Sequence, residues 1–159
     1  MPIETVILRE ATVDDIPFLR AMIWEAILAS PTLLNQLGVD AIQQHEEQYW
    51  SGWQQHPDPA FVALDTNGRL LGAITLQPNE PSASVQGWRI GMGVEAEVRG
   101  QGVGRHLVGR AIEFARVAGA AYVNLFVDPA NTHAIALYQH AGFVAVGTRD
   151  ALIEMRFNL

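Results

Sequence analysis

The sequence predicts an α+β domain in three layers. It consists of a mixed, mostly antiparallel sheet of six or seven strands flanked by about four helices. Three observations carry this. The candidate elements run β-α-α-β-β-β-α-β-α-β-β, which favours a mixed sheet over strict strand–helix alternation. Three strands follow one another mid-chain and two close it, as antiparallel partners do. One stretch, 103–118, has the apolar period of an amphipathic helix.

The elements follow in order. "TVILREA" (5–11) is rich in β-branched residues and reads as a strand. Residues 12–30 switch to helical spacing, with Ile16, Leu19, Ile23, Ala26 and Ile27 on one stripe. Thr12 or Asp14 is placed to cap this helix, and Pro17 suits its first turn. "PTLLNQLG" reads as a loop or broken helix, and 40–53 as a second, more polar helix. "AFVALD" (60–65) and "RLLGAITLQ" (69–77) are strands around Thr66, Asn67 and Gly68, where Asn-Gly signals a hairpin. Residues 78–87, with two prolines, form a loop. "WRIGMGV" (88–94) is a strand whose interior glycines imply a bulge or a close backbone approach.

In the 103–118 helix, Val103, Leu107, Val108, Ala111, Ile112 and Ala115 form the apolar face. "AYVNLFV" (121–127) is a strand. Residues 131–142 are a short helix stopped by Gly142. "FVAVG" and "ALIEMRF" are antiparallel strands. No repeat or linker divides the chain, so 1–159 reads as one domain.

Composition narrows the function classes. With 49% hydrophobic and 17% charged residues, the chain is globular in composition. No apolar run reaches the roughly 20 residues of a membrane span, and "MPIETVILRE" has no secretory pattern. The absence of cysteine excludes disulfides and thiolate chemistry and agrees with a cytoplasmic location. A net charge of −7 with only 10 Lys and Arg argues against nucleic acid as a partner. The same charge favours cationic acceptors by steering, or serves solubility alone.

Chemistry concentrates at "VRGQGVGRHL", which packs three glycines before the amphipathic helix. A helix N-terminus offers unpaired N–H groups and a positive dipole end, and glycines let a bulky anion approach them. Gly104 is followed by Arg105 and His106, so the Lys-Ser/Thr of a P-loop is missing. Glycines at 100, 102 and 104 give G-x-G-x-G, not the G-x-G-x-x-G of dinucleotide sites.

Arg99-Gly100-Gln101-Gly102-Val103-Gly104 fits R/Q-x-x-G-x-G/A, and "VEAEVRGQGVGRHL" resembles V-x-P-x-x-R-G-x-G-I-G-x-x-L with Ala96 in place of Pro. Some 30 residues on, Asn131, Ala134, Leu137, Tyr138, Gly142 and Phe143 fit N-x-x-A-x-x-L-Y-x-x-x-G-F. Together with "VILREATVDDIPFL" at the start, these motifs resemble the Gcn5-related N-acetyltransferases (GNAT family) over essentially the whole chain. The resemblance implies a GNAT-like acyl-CoA acyltransferase fold, with strand 88–94 splayed from strand 121–127. It also implies transfer of acetyl from acetyl-CoA to a primary amine of a small molecule or peptide, by direct attack in a ternary complex.

The site residues follow from the same resemblance. Arg99, Gly100, Gln101, Gly102, Val103, Gly104 and Arg105 would hold the pyrophosphate, mostly through backbone amides. Backbone groups around Met92 and Val94 would pair with the pantetheine arm, and a bulge at Gly91 and Gly93 would aim an N–H at the thioester carbonyl. Asn131 and Ala134 would line the arm, and Tyr138 would be the general acid for the departing thiolate. Asn131 is equally readable as a helix cap, and Tyr138, Gly142 and Phe143 as structural. No metal is implied.

The base is left open. Strand 88–94 carries no Glu; Glu95 and Glu97 lie beyond it, Glu25, Glu46 and Glu47 on the N-terminal helices, and His45 and His133 elsewhere. Trp24, Tyr49, Trp50 and Trp53 line an acceptor site or simply pack. The alternative is a non-catalytic acyl-CoA-binding regulatory domain; Tyr138 counts against it, and the missing strand Glu keeps it open. The acceptor's identity and the oligomeric state, homodimer included, are not encoded in any motif.

Overall fold

The computed structural model describes residues 3, 5–80 and 82–159. Part of the N-terminal stretch read for a signal, and Pro81 of the 78–87 loop, lie outside the described residues. Seven strands form one open sheet: β1 (Ile7–Glu10), β2 (Ala60–Leu64), β3 (Leu70–Pro78), β4 (Gly87–Val94), β5 (Tyr122–Val127), β6 (Val144–Arg149) and β7 (Leu152–Asn158). Their spatial order is β1-β2-β3-β4-β5-β7-β6. Neighbours are antiparallel except β4 and β5, which run parallel.

Five α-helices flank the sheet: α1 (Ile16–Leu28), α2 (Pro31–Leu37), α3 (Val39–Gln55), α4 (Val103–Val117) and α5 (Thr132–Ala141). This is one more than the expected four, because "PTLLNQL" forms a helix of its own. Ser30 caps it, its hydroxyl oxygen accepting from Leu33 N–H at 3.3 Å, and Pro31 opens it. The start of α1 is organised by Asp15 and not by Asp14. The Asp15 carboxylate accepts from Thr12 N–H (2.8 Å) and takes the Arg9 guanidinium in two bonds of 2.7 and 2.9 Å. The predicted hairpin turn is likewise held by an aspartate. Asp65 accepts from the N–H groups of Asn67 and Arg69, and Gly68 supplies the positive φ of +84°.

Two cores form, one on each sheet face. On one, α1 and α3 bury Leu19, Met22, Trp50 and Trp53 against Val62 and Ala73. On the other, all six predicted apolar positions of α4 are buried, packed with Ile74, Leu76, Ile90 and Leu125. In α1 the buried position is Met22, while Ile23 is half-exposed and Ala26 exposed.

The reason lies in β4. Strand residues alternate between faces, so Trp88, Ile90, Met92 and Val94 join the α4 core while Arg89, Gly91 and Gly93 face α1. The β3–β4 register runs unbroken from Pro78↔Trp88 to Gly72↔Val94, so the bulge expected at Gly91 and Gly93 is absent. Close approach explains Gly93 instead: a Cβ there would run into the backbone carbonyl of Met22. At Gly91 a Cβ would meet only ordinary contacts, Thr75 Oγ1 at 3.4 Å and Ile23 Cδ1 at 3.5 Å.

The two glycines therefore separate by experiment. Gly93→Ala is expected to cost about 1–3 kcal/mol by forcing α1 off the sheet. Gly91→Ala is expected to be neutral or slightly stabilising. Chemical denaturation of the two variants checks this; equal stabilities would contradict the close approach at Gly93.

Candidate active site

The parallel pair β4–β5 holds for only three positions, Gly87↔Tyr122, Trp88↔Val123 and Arg89↔Asn124. Beyond Arg89, β4 stays with β3 and β5 stays with β7, and the two strands part. The ladder phase shows what this gap exposes. Asn79 N–H donates to Gly87 C=O and Glu95 N–H to Leu71 C=O. In an antiparallel ladder bonded pairs alternate, so the bonded β4 positions are 87, 89, 91, 93 and 95. The C=O of Ile90 and the N–H and C=O groups of Met92 and Val94 point the other way, toward the gap; the Ile90 N–H closes the last bridge to β5, at Asn124. On the far side, Leu159 N–H donates to Ala121 C=O, so by the same alternation Phe126 turns its backbone groups to the gap. The Val94 carbonyl is already used, accepting from Arg99 Nε at 3.1 Å. The other groups form a bare strand edge.

The glycine loop lies at the end of β4. Gly100 (φ +76°) and Gly102 (φ +90°) are left-handed, and a Cβ on either would meet nothing within 4 Å. They are glycines for backbone conformation, beside open space. Gly104 differs: it is helical, and its Cβ would press on Leu137 Cδ1 (3.0 Å) and Met92 Cε (3.2 Å). Its role in the fold is therefore packing. His106 N–H donates to Gly102 C=O at 3.2 Å, which closes the first turn of α4. The amides of residues 100–105 donate to no protein acceptor among the described residues. The first amides of α4 and those of the loop before it lie beside open space, the chemistry an anion site uses. Arg105 is exposed beside it; Arg99 is held by Val94 and lies 3.8 Å from Glu25. The side-chain oxygen of Gln101 is buried without a partner.

Asn131 caps α5, its Oδ1 accepting from Ala134 N–H at 3.1 Å. Gly142 ends the helix at φ +107°, as predicted. Tyr138 is buried, with its ring edge-on to Phe143 at 5.8 Å. Burial pushes its phenol up to about 12. The Gly104–Met92–Leu137 contact joins α4's start, the splayed part of β4 and the turn of α5 carrying Tyr138. Three sequence-distant predicted segments thus meet at one place.

A cavity of about 200 Å³ opens on the α1/α3 face, against the part of β4 that has left β5. Its apolar walls are Ile23 and Ile27 from α1 and Ile42 and Trp50 from α3. Its polar wall holds two separate contacts. Arg89 Nη2 donates to Gln77 Oε1 at 2.6 Å, and Tyr49 O–H donates to Asp58 at 3.0 Å. Burial and Asp58 raise the Tyr49 phenol far above its usual range. Of the aromatic group, only Tyr49 and Trp50 line this cavity; Trp53 is core, and Trp24 faces a shallower depression beside Arg20. Glu46 also lines it, but Arg20 grips its carboxylate in two bonds of 2.8 and 3.0 Å. His45 lines the cavity and is exposed.

The GNAT acetyltransferase family model matches residues 22–143. The chain belongs to the GNAT acetyltransferase family. A mycothiol acetyltransferase from Beutenbergia cavernae is 37% identical over 92 residues, 56% of this chain and 30% of that protein. The chain thus spans about a third of the curated relatives it matches. A Gcn5-related N-acetyltransferase from Kribbella flavida superposes with a TM-score of 0.77 at 26% identity, covering 98% of this chain and 99% of that one. YncA of Salmonella typhimurium, solved with its cofactor acetyl-CoA, superposes with a TM-score of 0.71 at 22% identity over 96% of this chain and 93% of that one.

GNAT acetyltransferases use acetyl-CoA, and the residues here suit it. The loop offers amides for a pyrophosphate and the gap offers a strand edge for an amide-containing arm. Among the described residues no group of three or more His, Asp or Glu is placed to hold a metal, and no helix is long and apolar enough to cross a membrane.

Two features of this GNAT chain carried no signal legible in the sequence. One is the pair of contacts Arg89–Gln77 and Tyr49–Asp58. The other is Asp128, at the end of β5. Its buried carboxylate accepts from Ala130 N–H (2.9 Å), Ser30 O–H (2.7 Å) and Thr32 N–H (3.1 Å). It thereby caps α2 from across the fold. These bonds hold the Asp128 carboxyl at about 2, against an ordinary 3.8. A depressed carboxylate contributes stability above its unfolded pKa and loses it as pH falls through the folded value. Asp128→Asn should therefore flatten the acid loss of melting temperature between about pH 4 and pH 2. A variant that loses Tm with acid as steeply as the wild type would overturn this. Asp128→Ala should cost about 2–4 kcal/mol by orphaning three donors.

Proposed function

We propose that this chain is a single-domain N-acetyltransferase that moves the acetyl group of acetyl-CoA to a primary amine in a ternary complex. The observation that carries the reading is the splay: a bare strand edge runs from the unpartnered amides of residues 100–105 to the α5 turn that carries Tyr138. When bound, acetyl-CoA supplies an activated acetyl group and a thiolate leaving group. The amides of residues 100–105 would hold its pyrophosphate, with Arg105 adding charge. The Met92 N–H and C=O and the Val94 N–H would pair with its arm as an added strand. Ala134 and the Asn131 amide nitrogen, left over by the cap, would flank that arm.

Tyr138 would hand its proton to the departing sulfur. At about 12 its phenol is a weaker acid than a free tyrosine, yet the burial that raises it also raises the basicity of a thiolate beside it. Its proton is in place throughout the neutral range. Written as a balance, an ammonium and a thioester give an amide, a thiol and one proton. That proton leaves to water at the cavity mouth, where His45 is exposed; Glu46, gripped by Arg20, is unsuited to take it. A cysteine-free acetyl-CoA enzyme fits the cytoplasm, where we place it. Tyr138 favours this catalytic reading over a regulatory acyl-CoA binder.

Acetyl-CoA at a hundredfold excess over its Kd should stabilise the folded chain by about 2.7 kcal/mol, seen as a rise in Tm. Tyr138→Phe should keep that rise and slow acceptor-dependent CoA release about a hundredfold. Gly102→Val, which must give up the left-handed backbone of φ +90° and so re-set the loop, should lose the rise. A Tyr138→Phe variant turning over at the wild-type rate would remove Tyr138 from the acid role, and normal acetyl-CoA affinity in Gly102→Val would remove the loop.

A further inference from the structure

The geometry points to an acceptor that carries both an apolar side chain and a carboxylate: a free α-amino acid of the leucine or methionine kind, anchored by Arg89. This deepens the acetyltransferase reading and rests on it.

Arg89 is the last residue of β4 paired with β5, so its guanidinium stands where the gap opens. It shares the α1 face with Gly91, about 7 Å along the strand, and both line the cavity. One nitrogen of the exposed Arg89 side chain is fixed by Gln77 Oε1 at 2.6 Å. That bond orients the guanidinium while leaving its remaining N–H groups for a ligand. No carboxylate lies within ion-pair distance of Arg89 among the described residues.

The other charge of the cavity is already neutralised, because Glu46 is forked by Arg20. A polyamine would therefore meet an unpaired cation and no available anion. A carboxylate meets an oriented guanidinium, the pairing with the best bidentate geometry. The walls beside it, Ile23, Ile27, Ile42 and Trp50, suit an apolar side chain, and about 200 Å³ accommodates one of several carbons. Overall charge does not oppose this. A zwitterion carries no net charge, so the −7 of the chain does not repel it. With the carboxylate on Arg89 and the side chain in the cavity, the amine is left facing the gap beside Met92. The transfer is the one written above, an ammonium and a thioester giving an N-acetyl amino acid, CoA thiol and one proton.

The test compares amino acids with their decarboxylated partners on the intact protein: leucine with isoamylamine, and phenylalanine with phenethylamine. CoA-thiol release gives kcat/KM for each, and the acetyl-CoA-induced rise in Tm is measured in parallel. The expectation is that leucine exceeds isoamylamine at least tenfold, and that Arg89→Gln collapses this ratio by raising KM for leucine while keeping the acetyl-CoA rise in Tm. Arg116→Gln, on the exposed side of α4, should leave the ratio as it was. Isoamylamine equal to or better than leucine overturns the inference, as does an unchanged ratio in Arg89→Gln. Acetyl-CoA binding with turnover of no member of the panel also overturns it, and leaves the acetyl-CoA reading intact. Absence of acetyl-CoA binding overturns both.

Discussion

Everything at this site depends on where β4 and β5 stop pairing. Each strand is committed to another partner: β4 to β3 through seven positions and β5 to β7 through six. Three shared positions are all that remain between them. A buried backbone N–H or C=O without a partner is costly, so a gap of this kind persists only where something else answers those groups. Arg99 answers one of them, at Val94 C=O. The rest make the edge a template for an added strand, and an amide-bearing arm is such a strand in miniature. The rigidity of the two flanking ladders keeps that template from closing.

The gap is braced from both sides, and the braces explain residues that otherwise look arbitrary. On one face, Met92, Gly104 and Leu137 interlock, so α4 and α5 are seated on the splayed end of β4. On the other, α1 lies so close that position 93 tolerates no side chain. "WRIGMGV" is thus a two-sided strand: Trp, Ile, Met and Val for one core, and Arg, Gly and Gly for a helix that nearly touches the backbone. The three loop glycines divide in the same spirit. Gly100 and Gly102 supply backbone conformation beside open space, while Gly104 supplies room for a neighbour.

How much of this was legible follows from the range of each signal. The α4 stripe was read without error, because six apolar positions in one helix encode their own face. The α1 stripe is legible at Ile16 and Leu19, which are buried, but not beyond: Met22 rather than Ile23 is chosen by what the helix crosses, and Gly93 lies some 70 residues away in sequence. The loop and the α5 motif were visible because their residue types are unusual and their spacing fixed. The helix at 31–37 was not, because it is short and its N-terminus is completed by Asp128, 98 residues from Ser30. Arg89 gave no signal either: it is an exposed strand residue, set apart only by its bond to Gln77 beside the cavity.

The placement of Asp128 and Arg89 gives the site a common logic. They stand at the two ends of the gap, Arg89 where β4 and β5 last pair and Asp128 just past the end of β5. Asp128 ties the α1–α2 connection to the β5–α5 turn, so the acceptor side and the Tyr138 helix are referenced to the same carboxylate. Beside the gap, Arg89 ties β4 to β3 through Gln77, and Asp58 takes the hydroxyl of Tyr49 on α3. Two aspartates far apart in sequence thus brace the elements around the opening. Asp128 takes three protein donors and Asp58 takes the Tyr49 hydroxyl, so both act on the gap through the elements they hold. Their work is to hold the elements whose backbone and guanidinium donors do face it, so that binding does not have to spend free energy on assembling them.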